Sequence, residues 1–242
     1  MNKQFLVNYF QFNSNSILIS WGNSIENDII FDVLSFKNAI NNNIKQLLEV
    51  RNSYSSLLVT YESTIDNIYS EIKALKQVYL NRKNINLEKQ KTWRIPVCYN
   101  KFFAKDLNNI SATLSLTKDQ IIKLHYENKY MVCFLGFLPG FLYLSNLNKK
   151  LYFPRKLTPD LNVAKGSVGI GGSQTGVYPS DSPGGWNIIG NSPVNFINTS
   201  IDEISFAKPG DLIKFYPITL EEHQLILNKP NDYKLEWEVS ND

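Results

Sequence analysis

The chain has 242 residues, of which 43% are hydrophobic and 13% aromatic, enough to build a packed core and to exclude global disorder. Its 25 lysines and arginines against 22 aspartates and glutamates leave a net charge of +3, so charge does not point to nucleic acid or an anionic membrane as a partner. The length predicts one large domain or two small ones.

The beginning of the sequence and its longest apolar run predict neither export nor membrane insertion. The first apolar run is three residues long before Asn8, whereas a signal peptide needs roughly 7–15. Residues 131–144 are broken by two glycines and a proline and are shorter than the ~20 residues of a spanning helix. We therefore expect a cytoplasmic protein in which Cys98 and Cys133 are reduced core residues; a disulfide or reactive pair is the alternative.

Residues 1–85 predict a small α+β domain. Apolar residues at spacings of three and four predict one helix opened by Ser24 and a second opened by Ser63 or Thr64. The strand-like runs are residues 5–10, 16–21, 47–51 and 56–61. The order β-β-α-β-β-α predicts helices on one face of a small antiparallel sheet.

Residues 81–91 are polar and basic without clear periodicity, which is typical of a linker between domains. A phosphate site is the alternative interpretation of its basic side chains, Arg82, Lys83, Lys89 and Lys91.

Residues 92–220 predict a mainly-β domain. A strand at 93–99 precedes a helical insertion, in which Thr117 and Gln120 have the spacing of a capping box. Short apolar runs then alternate with Gly/Pro turns, a pattern typical of a closed or sandwiched β architecture. The C-terminal tail, 221–242, predicts a short helix and an edge strand.

Standard catalytic templates do not fit. Residues 166–172 are glycine-rich but lack the Gly-Lys-Ser/Thr ending of a phosphate loop. Ser173 lies in a near miss to the nucleophile elbow, with Thr175 where the final glycine belongs. His125 and His223 are the only histidines; we interpret His125 as a packing or helix-surface residue, and no ligand spacing predicts a metal site.

The glycines and prolines are strongly clustered. Ten of the 12 glycines lie between Gly136 and Gly190, and six of the 10 prolines lie between Pro139 and Pro193. Backbone-shaping residues therefore concentrate in one stretch, where we expect the function to reside.

The same stretch carries an ordered set of motifs. These are residues 134–144 (FLGFLPGFLYL), 153–156 (FPRK), 166–170 (GSVGI), 174–179 (QTGVYP) and 182–190 (SPGGWNIIG). The set resembles the family of the 5-oxoprolinase B subunit (PxpB), also named for the kinase inhibitor KipI and for allophanate hydrolase subunit 1. The similarity extends over nearly the whole chain.

The resemblance implies a cyclophilin-like β-barrel for residues 92–220. It also implies a non-autonomous subunit of a hetero-oligomeric, ATP-hydrolysing hydrolase that converts 5-oxo-L-proline to L-glutamate with subunits A and C. ATP would be shared with the complex rather than assigned to this chain. Two alternatives stay open: a regulator that inhibits a sporulation-type histidine kinase, and half of a biotin-dependent carboxyltransferase or allophanate hydrolase-type enzyme.

The predicted substrate or subunit-interface surface combines large rings, glycines that permit close approach, neutral hydrogen-bonding groups and one arginine able to clamp an anion. Its residues are Phe137, Pro139, Gly140, Phe141, Arg155, Ser173, Gln174, Thr175, Ser182, Pro183, Gly184, Gly185 and Trp186. In the alternative interpretation the glycines shape barrel turns, the rings fill the core and Arg155 makes an ion pair. No catalytic residue is assigned.

Among the departures from the pattern of the resembled family, three change the charge of the position. Asp160 and Asn191 stand where the family usually has arginine, and Lys165 where it usually has alanine. These departures put an anion-binding role at positions 160 and 191 in doubt.

Overall fold

The computed structural model describes residues 4–23, 26–84, 90–197, 205–230 and 232–239. The chain forms two compact units, Met1–Leu87 and Glu88–Asp242. Both units mix helices with strands, which confirms the expected combination of α and β structure. None of the helices in the described ranges is long and apolar enough to span a bilayer.

The first unit is a four-stranded antiparallel sheet, in the order β1-β2-β4-β3, with two helices. Its elements are β1 Asn8–Asn13, β2 Ser16–Ser20, α1 Asn27–Asn43, β3 Leu47–Asn52, β4 Ser56–Tyr61 and α2 Ile68–Asn81. Alternate strand residues such as Ile17, Ile19 and Val59 are fully buried against Phe36 and Ile40 of α1. The period-2 and period-3.6 patterns therefore meet in one core.

The prediction that Ser63 or Thr64 opens the second helix is wrong. The backbone N–H of Ile65 donates to the carbonyl of Ser14, which ties this segment to the sheet instead. Helix α2 begins at Ile68, where the side chain of Asn67 accepts a hydrogen bond from the N–H of Ser70 at 3.1 Å. Ser24, the predicted cap of α1, lies outside the described residues.

A buried ion pair lies in the core of this unit. The carboxylate of Asp32 on α1 accepts hydrogen bonds from Trp21 Nε1 at 2.7 Å and from the Tyr79 hydroxyl at 2.7 Å. The Arg82 guanidinium bonds the same carboxylate and lies 3.6 Å from the centre of the Tyr79 ring. Arg82, expected in a linker or a phosphate site, is thus a core residue. The sequence pattern missed this because the partner, Asp32, lies fifty positions away and only folding brings the two residues together.

The second unit carries an eight-stranded sheet and a two-stranded sheet. Its elements are β5 Lys91–Val97, α3 Leu107–Leu114, α4 Lys118–Tyr126, β6 Lys129–Leu135, β7 Leu142–Leu144, a 3-10 turn Lys149–Leu151, β8 Asp160–Val163, β9 Ser167–Gly171, β10 Gln174–Val177, β11 Ser182–Gly184, β12 Asn187–Asn191, β13 Leu212–Pro217, α5 Leu220–Asn228 and β14 Trp237–Val239. The capping box of Thr117 and Gln120 is present at the start of α4.

The eight-stranded sheet closes on itself. Its order is β12-β9-β10-β7-β6-β13-β5-β14, and all pairs are antiparallel except β13 with β5. Cys98, one residue beyond β5, exchanges two backbone hydrogen bonds with Asn191 at the end of β12, at 2.8 and 3.0 Å. The strands at opposite sides of the order are therefore joined, with Ile95, Val132 and Val168 buried in the core they enclose.

The segment predicted as a C-terminal tail contributes to the second unit. Helix α5 starts with a capping box between Thr219 and Glu222, and its His223 is buried. Strand β14 pairs with the first half of β5, placing Trp237 beside Trp93.

A neutral polar network occupies the interior of the closed sheet. His125 on α4 is fully buried, with Nδ1 2.8 Å from the Tyr99 hydroxyl and Nε2 2.9 Å from the Thr175 hydroxyl. Because the Thr175 hydroxyl donates its hydrogen to the Gly169 carbonyl at 3.0 Å, it accepts from Nε2–H, and Nδ1 accepts from Tyr99. Burial lowers the pKa of His125 to about 3, so the ring is uncharged at neutral pH.

We expect Asp32→Ala to lower the free energy of unfolding of the first unit by about 3–5 kcal/mol, because it leaves the Arg82 guanidinium buried without its counter-charge. Chemical denaturation of the full chain measures this. The double variant Asp32→Ala/Arg82→Ala should lose less than the sum of the single variants. Arg51→Ala, which removes an exposed pair with Glu49, is the control with little effect; an equal loss there would contradict the prediction.

We expect the folded chain to lose stability as pH falls below the ordinary histidine pKa. The depressed pKa of His125 means that the unfolded chain binds a proton which the folded chain refuses between about pH 6.5 and 3. This one group removes about 1.4 kcal/mol per pH unit in that window. Ring-proton NMR of His223→Gln, in which His125 is the remaining histidine, checks the cause; titration near pH 6.5 would refute it.

Candidate functional site

The glycine-rich strands form a bed for one indole ring. A Cβ at Gly171 would lie 2.7 Å from the ring of Trp186, and one at Gly176 would lie 3.0 Å from it and 2.5 Å from the Leu142 carbonyl. Gly169 is close to the same residue, at 3.1 Å from its Cβ. Trp186 therefore packs flat on β9 and β10 and is only 4% exposed. These three glycines lie within strands and make room for the indole, a role that differs from the turn-shaping role of the alternative interpretation.

Two of the three glycines expected to admit another molecule are already occupied by the chain itself. A Cβ at Gly140 would lie 2.8 Å from the Phe196 carbonyl, and one at Gly184 would lie 2.3 Å from the Tyr178 hydroxyl. The expectation of open space there is wrong, because the chain's own groups fill it. Gly185 differs, because the atom nearest to a Cβ placed there would be the Lys156 carbonyl oxygen at 3.6 Å, an ordinary contact distance. The residue is half-buried.

A row of aromatic contacts connects the buried indole to the surface. Phe141 meets Trp186 edge-on at 5.5 Å and Phe137 edge-on at 5.7 Å. Phe141 is 2% exposed, whereas Phe137 is 62% exposed. Phe137 also has φ of 66°, a left-handed conformation that costs a non-glycine residue about 1–2 kcal/mol. The turn between β6 and β7 therefore has a strained backbone conformation and exposes the phenyl ring of Phe137 to solvent.

Arg155 lies at the other end of this row. Its guanidinium is 5.5 Å from the centre of the Trp186 ring, a cation–π distance, and the residue is exposed. Within the described ranges it makes no salt bridge. The surface ion pair considered for it is absent there, and its charge is available to an anion.

The neutral polar residues divide into used and unused groups. The Thr175 hydroxyl is committed to His125 and Gly169 inside the closed sheet, so it has no hydrogen left for a ligand. Gln174 Oε1 and Ser182 Oγ are buried and have no hydrogen-bond partner among the described residues. Ser173 is half-buried. Unpaired buried oxygens are costly, which makes Gln174 and Ser182 the strongest polar candidates.

The predicted surface is therefore only partly a surface. Four of its residues are exposed: Phe137, Pro139, Arg155 and Pro183. Three are half-buried: Ser173, Ser182 and Gly185. The other six are buried: Gly140, Phe141, Gln174, Thr175, Gly184 and Trp186.

Burial disfavours the charged forms of both histidines and both cysteines. Burial lowers the pKa values of His125 and His223 and raises that of Cys98. It raises the pKa of the Cys133 thiol to about 12, so neither cysteine is a thiolate at neutral pH; both are buried and form no disulfide. The described residues contain no group of three or more His, Cys, Asp or Glu that could hold a metal ion.

The departure at position 160 has a local explanation. Asp160 lies 2.7 Å from Lys156 Nζ and 2.8 Å from Lys105 Nζ, and Lys156 also contacts Asp106 at 2.8 Å. Partial burial would raise the pKa of Asp160, but the hydrogen bonds from the two lysines outweigh it and keep that pKa below its usual value. A charge network thus ties β8 to the start of α3, and an arginine at position 160 would repel both lysines.

The other two departures, Lys165 and Asn191, line a cavity of about 580 Å³ together with His223 and Lys105. No sequence pattern predicted this cavity, and its lining shares no residue with the predicted surface. The available signal for this cavity in the sequence was the departure at each of the two positions. Their common location was not visible there, because Lys165 and Asn191 are close only in the folded chain.

The chain is similar in sequence to known proteins and in fold to solved structures. A family model described as "Carboxyltransferase domain, subdomain C and D" matches residues 7–207. A protein of Escherichia coli O157:H7, named as the B subunit of 5-oxoprolinase, is 45% identical over 123 residues, 51% of this chain and 56% of the relative. The protein of that name from Bacillus subtilis (strain 168) is 36% identical over 137 residues, 57% of this chain and 57% of the relative.

Among solved structures, the urea carboxylase of Kluyveromyces lactis matches with a TM-score of 0.81 and 20% sequence identity, covering 97% of this chain and 24% of that one. At this identity the likeness is one of fold alone. The chain matches little more than half the length of the curated relatives. Because the family model covers residues 7–207, the chain belongs to the carboxyltransferase subdomain C and D family, and its resemblance to the B subunit of 5-oxoprolinase is confirmed.

Proposed function

We propose that this chain is a non-autonomous subunit of an ATP-dependent 5-oxoprolinase that acts in the cytoplasm with subunits A and C. The observation that carries the proposal is the shared name of the curated relatives, the B subunit of 5-oxoprolinase, at 36–45% identity. Two buried cysteines that form no disulfide suit a reducing compartment. The closed sheet of the second unit supports its assignment as a cyclophilin-like barrel, and the first unit supports the small α+β domain.

The chemistry explains why ATP and several subunits would be needed. A lactam is a poor electrophile, so transfer of the γ-phosphoryl group from ATP to the lactam oxygen, releasing ADP, creates an activated carbon. Water adds to that carbon, the ring C–N bond breaks with protonation of the amine, and an acyl phosphate results. A second water hydrolyses it to glutamate and phosphate. The described residues of this chain offer no activated nucleophile, which agrees with a shared site.

The proposed contact with the C subunit consists of the two exposed residues at the ends of the aromatic row, Phe137 and Arg155. Phe137 offers a ring held in water by a strained turn, and Arg155 offers an unpaired cation near the same row. Gln174 and Ser182 have oxygens that lack partners within the described residues. A partner that covers this face would bury the exposed ring and place an anionic group beside the guanidinium, as interfaces rich in aromatic residues and arginine commonly do.

Half of a biotin-dependent carboxyltransferase is a second candidate, favoured by the description of the matching family model. This alternative requires a biotinylated partner. Inhibition of a reconstituted reaction by avidin would support it, whereas an avidin-insensitive, ATP-dependent release of glutamate would support the oxoprolinase.

We expect 5-oxoproline, ATP and purified subunits A and C to yield glutamate at full rate only when this chain is added. The physical reason is that the site is completed at an interface. Enzymatic glutamate determination measures the rate, with omission of each component in turn as the control. Full activity without this chain would overturn the proposal.

We expect Phe137→Gly to lower the rate of the reconstituted reaction about tenfold while the chain stays folded, because glycine accepts the positive φ but removes the exposed ring. Arg155→Ala should have a similar effect through loss of the cation. Steady-state rates and thermal midpoints measure both. Tyr69→Ala, which removes a ring 84% exposed on α2, is the matched control; equal losses in all three variants would remove the assignment of this surface.

A further inference from the structure

The cavity lined by Lys165, Asn191 and His223 lies in the second unit and has a volume of about 580 Å³. That volume lies within the range of ligand pockets, roughly 300–1,000 Å³. Its walls come from the loop before α3, the turn before β9, the segment after β12 and helix α5. Three properties of these walls determine what the cavity suits.

The first property is an unpaired acceptor on His223. The side-chain N–H of Asn191 donates to the Lys165 carbonyl at 2.8 Å, so its Oδ1 is the atom that accepts from His223 Nε2, also at 2.8 Å. The proton of the ring is thereby fixed on Nε2. Nδ1 is left as an acceptor, and it has no partner among the described residues although His223 is only 2% exposed.

The second property is the charge of the lining. Among the described residues it contains Lys105 and Lys165 and no aspartate or glutamate. Lys105 is paired with Asp160, which is not part of the wall, at 2.8 Å. Lys165 is exposed and forms no salt bridge in the described part of the chain. Among the described lining residues, Lys165 is therefore the cation without a salt bridge, although the Asp181 carboxylate accepts a hydrogen bond from its backbone N–H at 2.6 Å. A cation at the wall of a cavity favours an anionic ligand.

The third property is an apolar rim. Phe102 is 78% exposed and packs edge-on against Phe103 at 5.1 Å, and Phe103 covers His223 at 4.4 Å. Leu227 of α5 is 57% exposed. Exposed rings beside a few convergent polar groups are the usual composition of a site for a ligand with a flat or apolar part.

We propose that this cavity binds an anionic small molecule that donates an N–H or O–H hydrogen bond to Nδ1 of His223 and presents its anionic group to Lys165. Naming the ligand rests on the proposed function: both ATP, with its amino group and phosphates, and 5-oxoproline, with its lactam N–H and carboxylate, have this chemistry. The volume suits a nucleotide better than a single five-membered ring, so ATP is the expected ligand.

Isothermal titration of the full chain with ATP, and separately with 5-oxoproline, tests the proposal. We expect ATP to bind and Lys165→Ala to weaken binding about tenfold, the effect of one charge-assisted contact. His223→Gln should weaken it similarly, because glutamine keeps an N–H toward Asn191 but loses the Nδ1 acceptor. Lys150→Ala, which removes a lysine outside the cavity, is the matched control and should bind as the unmodified chain does.

The ¹⁵N NMR shift of His223 Nδ1 supplies a second readout, since it moves when that atom accepts a hydrogen bond. Binding of 5-oxoproline in place of ATP, with the same response of the variants and the same ¹⁵N shift, would also support the site. Absence of binding by both ligands at millimolar concentration, or equal affinity in Lys165→Ala and Lys150→Ala, would overturn it. Binding of ATP or 5-oxoproline without oxoprolinase activity in the reconstituted mixture would contradict the proposed function alone. Activity without binding of either ligand would contradict the assignment of the cavity alone.

Discussion

The architecture of the second unit depends on the hydrogen bonds that Asn191 makes. Its backbone pairs with Cys98 and closes the eight-stranded sheet. Its side chain holds the Lys165 carbonyl on one side and the His223 ring of α5 on the other. The closure also requires Gly166, whose φ is +79° and where a Cβ would lie 2.1 Å from the Ser192 carbonyl. One closing contact therefore fixes the position of a turn, a helix and the cavity wall.

The closed sheet has two unlike faces, and the glycine-rich strands serve both. Toward the interior, Thr175 of β10 completes the hydrogen bonds of His125. Toward the exterior, Gly171 and Gly176 leave room for Trp186. A side chain at either glycine would displace the indole and, with it, the aromatic row that ends at Phe137. The clustered glycines thus act through packing, and the exposed ring is what packing leaves available to a partner.

Local signals in the sequence were sufficient for much of the fold. The strand-like run that forms β2 and the capping box at Thr117 depend on neighbours a few residues apart, so a sequence pattern contains them. Arg82 and Ser63 show where such signals fail. The partner of Arg82 is Asp32 on another helix, and Ile65, next to the expected cap, is held by Ser14 of a distant turn. Contacts that form only on folding decide these positions.

The site was predicted less well for the same reason, and the errors are informative. Gly140 and Gly184 have the composition of an open surface but are filled by Phe196 and Tyr178. Conversely, positions at which the sequence lacks the positive charge of the resembled family make specific contacts in the structure. Asp160, which stands where the resembled family usually has a positive charge, neutralises Lys105 and Lys156 together with Asp106. Lys165 then restores an unpaired positive charge at the cavity, beside the neutral acceptor of His223. Among the described lining residues, these positions place a cation without a salt bridge close to an unpaired acceptor, and this is the combination that the proposed anion site requires.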